Sequence, residues 1–299
     1  MTPNTFGTRE PSVAYDPETS SVLKDRYRHC YDRIAGDDLI HPMEHGKDAR
    51  NLPLLRLIGD VKGKRVLDVG SAQGLLLGQM QSATTRVCMD LAAAYLRVAR
   101  ASTHPAVQAE GENIPFQRGT FDVVVCTGVL EHVLDPAAVM REVKRVLSPN
   151  GRFYVLVPWK EDLSKYASME ISYEFTHLRS FDDDLVKQLF EDFEIVRRRG
   201  VEPNVEHPPH QKILNALPLH VSQWLSRIYR QAWVVLDYAE GRWHWKLPRR
   251  IKHGYWRWYW KQLAQFPERD WLWLWFYSPF HMMFELRPRS AAGHSDERA

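Results

Sequence analysis

Short apolar runs alternate with amphipathic stretches through the middle of the chain, and the alternation predicts the fold. Arg65-Val66-Leu67-Asp68-Val69 reads as a buried strand ending at Gly70, Arg86–Asp90 as a second, Ala106–Ala109 as a third, Phe121–Cys126 as a fourth and Arg152–Val157 as a fifth. Between them the spacing predicts helices over Ala72–Gln81, over Leu91–Ala101 with apolar residues at 91, 95, 98 and 99, and over Pro136–Leu147, closed by Ser-Pro-Asn-Gly. A helix over Phe181–Phe190 and a strand over Phe193–Val201 follow. Two helical patterns, Val22–Ile34 and Asp48–Ile58, precede the first strand. Strands alternating with helices of this length mean a mostly parallel, doubly wound α/β sheet, because each parallel pair needs a crossover and the crossover helix covers a face.

Composition changes this picture at the C-terminal end. Of eleven Trp in 299 residues, ten lie between Trp224 and Trp275, and Gly241 to Pro267 holds seven Lys or Arg and no Asp or Glu. A shift that sharp marks 204–280 as a separate aromatic and basic helical insertion. The remaining domain is expected over 21–203 and 281–289. Residues 1–20 and 290–299 are polar and expected to be a flexible leader and tail. Overall, 40 Lys+Arg against 37 Asp+Glu gives +3, too balanced to point to nucleic acid. Cys30, Cys88 and Cys126 are odd in number and widely spaced, which excludes a disulfide scaffold and a thiolate zinc cluster. No basic stretch followed by an apolar one opens the sequence, so no secretory signal is expected and the chain reads as cytoplasmic.

Candidate chemistry gathers at strand ends. In Val66-Leu67-Asp68-Val69-Gly70-Ser71-Ala72-Gln73-Gly74, a strand, a turn of small residues and a helix start would let backbone N–H groups approach a ligand. Asp90 ends the next strand, 20 residues after Gly70, where a carboxylate can accept from ribose hydroxyls. Those two features alone fit a dinucleotide site equally well. Against it, the other two positions of a Gly-x-Gly-x-x-Gly pattern are Ala72 and Leu75, and Leu75 is expected to obstruct a pyrophosphate.

Further motifs stand in register downstream: Glu110-Gly111-Glu112-Asn113-Ile114-Pro115-Phe116, Phe121-Asp122-Val123-Val124-Val125, Val129-Leu130-Glu131-His132-Val133 and Leu147-Ser148-Pro149-Asn150-Gly151. With the first turn, they resemble the class I S-adenosylmethionine (SAM)-dependent methyltransferases, of the broad ubiquinone/menaquinone-biosynthesis-like (type 11) group. The resemblance covers roughly residues 45–202 and a last strand near His281–Arg287. It implies a seven-stranded sheet and SAM as cofactor, leaving as S-adenosylhomocysteine (SAH). It also implies that Asp68, Gly70, Ser71, Ala72 and Gly74 wrap the methionine part, and that Asp90, with Leu91 beside it, meets the ribose. Glu110, Gly111 and Glu112 would meet the adenine, and Thr127 and Gly128 the methionine amine and sulfonium. Ala72 stands where the commonest pattern has Gly, and Glu110 where Asp is more usual.

Methyl transfer from SAM is an in-line displacement that needs positioning and dryness, and a hydroxyl or amine acceptor also needs a base. His132, just past the fourth strand, and His177, in Glu174-Phe175-Thr176-His177-Leu178, are the candidate catalytic residues; each could instead cap a helix or bond locally. No His, Cys and carboxylate group has metal-ligand spacing, His207-Pro-Pro-His210 reading as loop, so no metal is expected.

The aromatic segment has four readings. Val221, Trp224, Leu225, Ile228, Tyr229, Ala232, Trp233 and Leu236 share one helical face, expected to be mainly packed, so the segment could roof the substrate pocket. It could instead meet an anionic membrane surface at the inner face of a membrane, form a partner or homodimer surface, or stack on nucleic acid, the last disfavoured for want of a recognition module. Trp271–Leu286 is too short and interrupted to span a membrane. The resulting expectation is SAM-dependent methylation of a small or amphipathic acceptor, lipid-linked ones included, with oxygen as the acceptor atom. A non-catalytic SAM-binding scaffold is the rival. Substrate identity and oligomeric state are not legible.

Overall fold

The apolar runs become strands at nearly the expected bounds. In chain order, β1 is Arg65–Val69, β2 Thr85–Asp90, β3 Ala106–Gln108, β4 Phe121–Thr127, β5 Leu147–Pro158, β6 Phe193–Pro203 and β7 Pro279–Pro288. The helices are α1 Pro17–Ile40, α2 Lys47–Ile58, α3 Leu75–Gly78, α4 Ala93–Ala101, α5 Pro136–Val146 and α6 Asp183–Leu189. This computed structural model describes residues 17–40, 47–101, 105–161, 163, 177–203 and 279–289, with 218, 220, 221, 224, 225 and 228.

Among the described residues, seven strands form one sheet in the order β3-β2-β1-β4-β5-β7-β6. The first five pair in parallel, and β7 inserts antiparallel between β5 and β6. From β1 the chain winds outward through β2 and β3, then returns to β4 and winds the other way. The strand order therefore reverses between β1 and β4, and in such sheets the crevice at the C-terminal ends of those strands is where a ligand fits.

Both faces of the sheet are covered, which is why the central strands lack polar alternation. Val124 on β4 faces one apolar cluster with Val139, Val143 and Val146 of α5, while Val123 and Val125 face the other with Leu54, Leu57 and Ile58 of α2. Each such side chain fully buried contributes roughly 1.5–3 kcal/mol. Local signals fix the helix starts. Asp135 caps α5, its carboxylate accepting from Ala138 N at 2.9 Å, and Pro136 sits where a missing N–H costs nothing. Asp182 caps α6 the same way through Leu185 N.

Three expectations are corrected. The helix predicted over Ala72–Gln81 shrinks to Leu75–Gly78, because Ala72 and Gly74 both take left-handed backbone (φ 45 and 76) and spend those residues on a turn. α1 begins at Pro17, inside the stretch expected to be a flexible leader. The face Val221–Leu236 is not mainly packed at the positions described: Trp224 is 61% and Ile228 44% exposed. The rest of 204–278, like 1–16 and 290–299, lies outside the described residues, so the insertion and tail boundaries stand as expectations. Among the described residues, no helix is long and apolar enough to cross a membrane.

Candidate functional site

The β1 turn is built by backbone geometry. Gly70 (φ 74) and Ser71 donate to Met89 O at 2.8 and 3.0 Å, tying the turn to β2, and Gly74 N returns to Ser71 O at 2.8 Å. A Cβ on Gly70 would lie 2.1 Å from Val129 Cγ2, so only glycine lets the turn and the loop after β4 approach this closely. Asp90 buttresses the same turn: Oδ2 accepts from Ala72 N at 2.8 Å and Oδ1 from Ala92 N at 2.9 Å. Burial pushes the Asp90 carboxyl upward, and those backbone bonds offset part of the rise. An ionised carboxylate has about four lone-pair sites, so acceptor capacity remains for a ligand's hydroxyl.

Between this turn and β4 lies a cavity of about 410 Å³. It brings together nine of the twelve expected cofactor residues: Gly70, Ala72, Asp90, Leu91, Glu110, Gly111, Glu112, Thr127 and Gly128. Asp68, on β1, and Ser71 and Gly74, in the turn, are not on its wall. Asp68 is 2% exposed, its Oδ1 has no hydrogen-bond partner among the described residues, and burial, with Asp90 nearby, pushes its carboxyl up to about 8. A buried carboxylate of this kind is costly without a cationic or hydrogen-donating neighbour. Leu75, expected to obstruct a pyrophosphate, opens α3 with 43% of its surface exposed. It therefore does not argue against a dinucleotide.

Sequence reasoning missed the third wall. α1 lies over the cavity with Tyr27, Tyr31 and Ile34 in its lining. Arg28 donates to Glu110 (Nε at 2.8 Å, Nη2 at 2.7 Å) and Lys24 lies 3.5 Å from it, so α1 is pinned to the loop after β3. The Tyr27 and Tyr31 rings lie 4.8 Å apart, tilted by 55°, and burial pushes both phenols well above their ordinary range, keeping them neutral. The only signal in the sequence was the i, i+4 pair of tyrosines on one predicted helix.

One candidate histidine is on the cavity wall and the other stands against it. His132 lines the cavity, and the His177 ring lies 4.7 Å from the His132 ring, edge to face. The neighbourhood is set by backbone ties: Leu178 N donates to Glu131 O at 2.8 Å and Arg179 Nη1 to Leu130 O at 2.6 Å. Two carboxylates complete it. Glu161, which follows Lys160 in a left-handed turn (φ 51), makes a short hydrogen bond to His177 Nδ1. Glu131 is 2% exposed and burial pushes its carboxyl up to about 7. Glu131, His132 and His177 offer ligand atoms that all lie within 4.8 Å of one another. The sequence showed no such group because 45 residues separate His132 from His177.

Known proteins fit this geometry. Residues 67–155 match the family described as a methyltransferase domain. A ubiquinone biosynthesis O-methyltransferase of Xanthomonas oryzae pv. oryzae is 38% identical over 104 residues, 32% of this chain and 44% of that protein. One from Sodalis glossinidius is 34% identical over 124 residues, 38% of this chain and 49% of that protein. The chain thus spans about half the length, or less, of these curated relatives. In fold, it resembles a methyltransferase from Haloferax volcanii solved in complex with the Trm112 methyltransferase activator, at a TM-score of 0.50 and 19% identity over 57% of this chain and 79% of that one. The matched segment runs from β1 through β5, so over residues 67–155, which hold the glycine turn and much of the cavity wall, the chain is similar to the methyltransferase-domain family.

Proposed function

We propose that the chain is a SAM-dependent methyltransferase whose acceptor is an oxygen nucleophile on a small or amphipathic molecule. The observation that carries this reading is the pairing of a glycine-turn cavity with a histidine–carboxylate cluster that reaches its wall through His132. SAM supplies an electrophilic methyl on a sulfonium. The chain's own residues do the rest. The turn at Gly70–Gly74 and Asp90 hold the cofactor, Glu110 and Gly111 take its adenine end, and Thr127 and Gly128 its sulfonium end. Tyr27 and Tyr31 exclude water from above. The acceptor's hydroxyl proton leaves toward His132 and His177 as the C–O bond forms and the C–S bond breaks, giving methyl ether, SAH and one proton. A base placed so contributes roughly 10²- to 10⁴-fold.

The acceptor class draws on two supports. The relatives are named for ubiquinone biosynthesis, and ubiquinone is a ring with a long isoprenoid tail. Exposed Trp224 and Ile228 sit at the start of the aromatic, basic segment, which suits a membrane-surface role for presenting such an acceptor. The test is transfer of labelled methyl from SAM into a cell extract, with aqueous and solvent-extractable fractions counted separately. Label in a solvent-extractable small molecule, lost in His132→Ala and His177→Ala at unchanged SAH affinity, supports the reading. SAH binding with no transfer in any fraction would leave the chain a SAM-binding scaffold.

A further inference from the structure

The cluster that reaches the cavity wall through His132 has more donor atoms than proton removal requires. Two imidazoles and a carboxylate, from His132, His177 and Glu131, converge within 4.8 Å. Ligands bound at ~2.0–2.2 Å around one ion lie ~3–4 Å apart, so shifts of about an ångström in the side chains would close the set. Two independent features mark it as a built site. Glu131 is 2% exposed, yet its Oε2 has no hydrogen-bond partner among the described residues. Such an orphaned buried oxygen is costly unless something positive or hydrogen-donating meets it. His177, for its part, is gripped at Nδ1 by Glu161, whose side chain is only 6% exposed. A carboxylate bonded to the other ring nitrogen of a histidine is the outer-shell pattern of metal-bound histidines.

We propose that Glu131, His132 and His177 hold a divalent cation of the borderline class, Zn²⁺ or Co²⁺ being suitable representatives, with Glu161 as the positioning residue for His177. Two nitrogen donors argue against Mg²⁺ or Ca²⁺, which prefer all-oxygen sets. Three protein ligands leave a position open, and His132 places it on the cofactor cavity. A cation there acts as a Lewis acid on an acceptor hydroxyl, lowering its pKa so that the proton is lost before or during methyl transfer. The inference rests on the methyltransferase reading only for this role. The binding itself is independent of it.

The test uses the full chain, treated with chelator and dialysed, then titrated with CoCl₂ while visible d–d absorption and heat are followed. SAH is titrated separately into every variant. One Co²⁺ per chain with visible absorption, displaced by ZnCl₂ and not by a hundredfold excess of MgCl₂, is expected. Glu131→Gln and His177→Ala should each weaken Co²⁺ at least tenfold, Glu161→Gln about tenfold, and none should move SAH affinity more than twofold. Wild type without a Co²⁺ signal overturns the proposal. So does Co²⁺ binding that survives in both Glu131→Gln and His177→Ala. If Glu131→Gln does not fold, the more accessible His177→Ala carries the same decision. Loss of SAH binding in the wild type would instead refute the methyltransferase reading, and the two failures are told apart.

Discussion

Gly70→Ala is the sharpest perturbation of the cofactor turn. The added methyl would stand 2.1 Å from Val129 Cγ2, against ordinary carbon contacts of about 3.5–4.0 Å, and at φ 74 the backbone itself resists an L side chain. The left-handed conformation alone costs about 1–2 kcal/mol for alanine. Relieving the overlap requires Val129 and the loop behind it to retreat, at a cost comparable to overpacking a core, about 1–3 kcal/mol. The sum is roughly 2–5 kcal/mol, read as a loss of stability in urea with unchanged slope. Val129 lines the same cavity, so SAH affinity should fall as well. A double-mutant cycle separates the causes. Val129→Ala removes Cγ2 and should restore about 1–2 kcal/mol to Gly70→Ala, while the backbone cost remains. Gly70→Ala with wild-type stability and SAH affinity would refute the close approach. Strict additivity with Val129→Ala would refute the steric part.

Three further outcomes are expected. Ala72 holds φ 45 without being glycine, so Ala72→Gly should raise stability by up to about 1 kcal/mol and raise the thermal midpoint, with SAH still bound; a lowered midpoint would show that the turn is not strained there. Asp68 and Glu131 both have folded pKa values raised by burial, so their contribution to stability is fully present below about pH 4 and is lost as pH rises through about 7 to 8. The ligand-free midpoint should therefore drop between about pH 4 and 8 and level off above that, and Asp68→Asn should flatten the drop. Arg28→Ala should loosen α1 from Glu110, raising hydrogen exchange in α1 and speeding SAH release, and unchanged exchange there would show that the pair is incidental.

The sheet was legible because its signals are local. β1, β2 and β4 are apolar runs with turn residues immediately after them, and the motifs at Gly70, Asp90 and Glu110 sit at fixed distances from those ends. What failed needed information from elsewhere in the chain. The helix after Gly74 was overextended because propensity favours Ala72–Gln81, whereas tertiary bonds from Gly70 and Ser71 to Met89 commit those residues to a turn. α1 was visible as a helix, but nothing in its sequence says that Tyr27 and Tyr31 close a cavity formed by strand ends 40 to 100 residues away. Glu131 was passed over as a charged residue beside the more suggestive His132. Leu178 and Arg179, more than 45 residues on, bond back to the Glu131 and Leu130 carbonyls, a neighbourhood no local pattern reveals. Glu161 had no motif around it. The backbone reversal at Lys160 and the bond to His177 give it a place in the site.

The central claim is that the cavity between the Gly70 turn, Asp90 and the loop after β4 is a SAM site. Calorimetric titration of the full chain with SAH tests it most directly, with Asp90→Ala alongside and NADH as the competing ligand. One SAH per chain is predicted, weakened at least tenfold in Asp90→Ala through lost charge-assisted hydrogen bonds of about 1.5–3 kcal/mol, with no heat from NADH. Tight NADH binding, or SAH affinity unchanged in a folded Asp90→Ala, would contradict it.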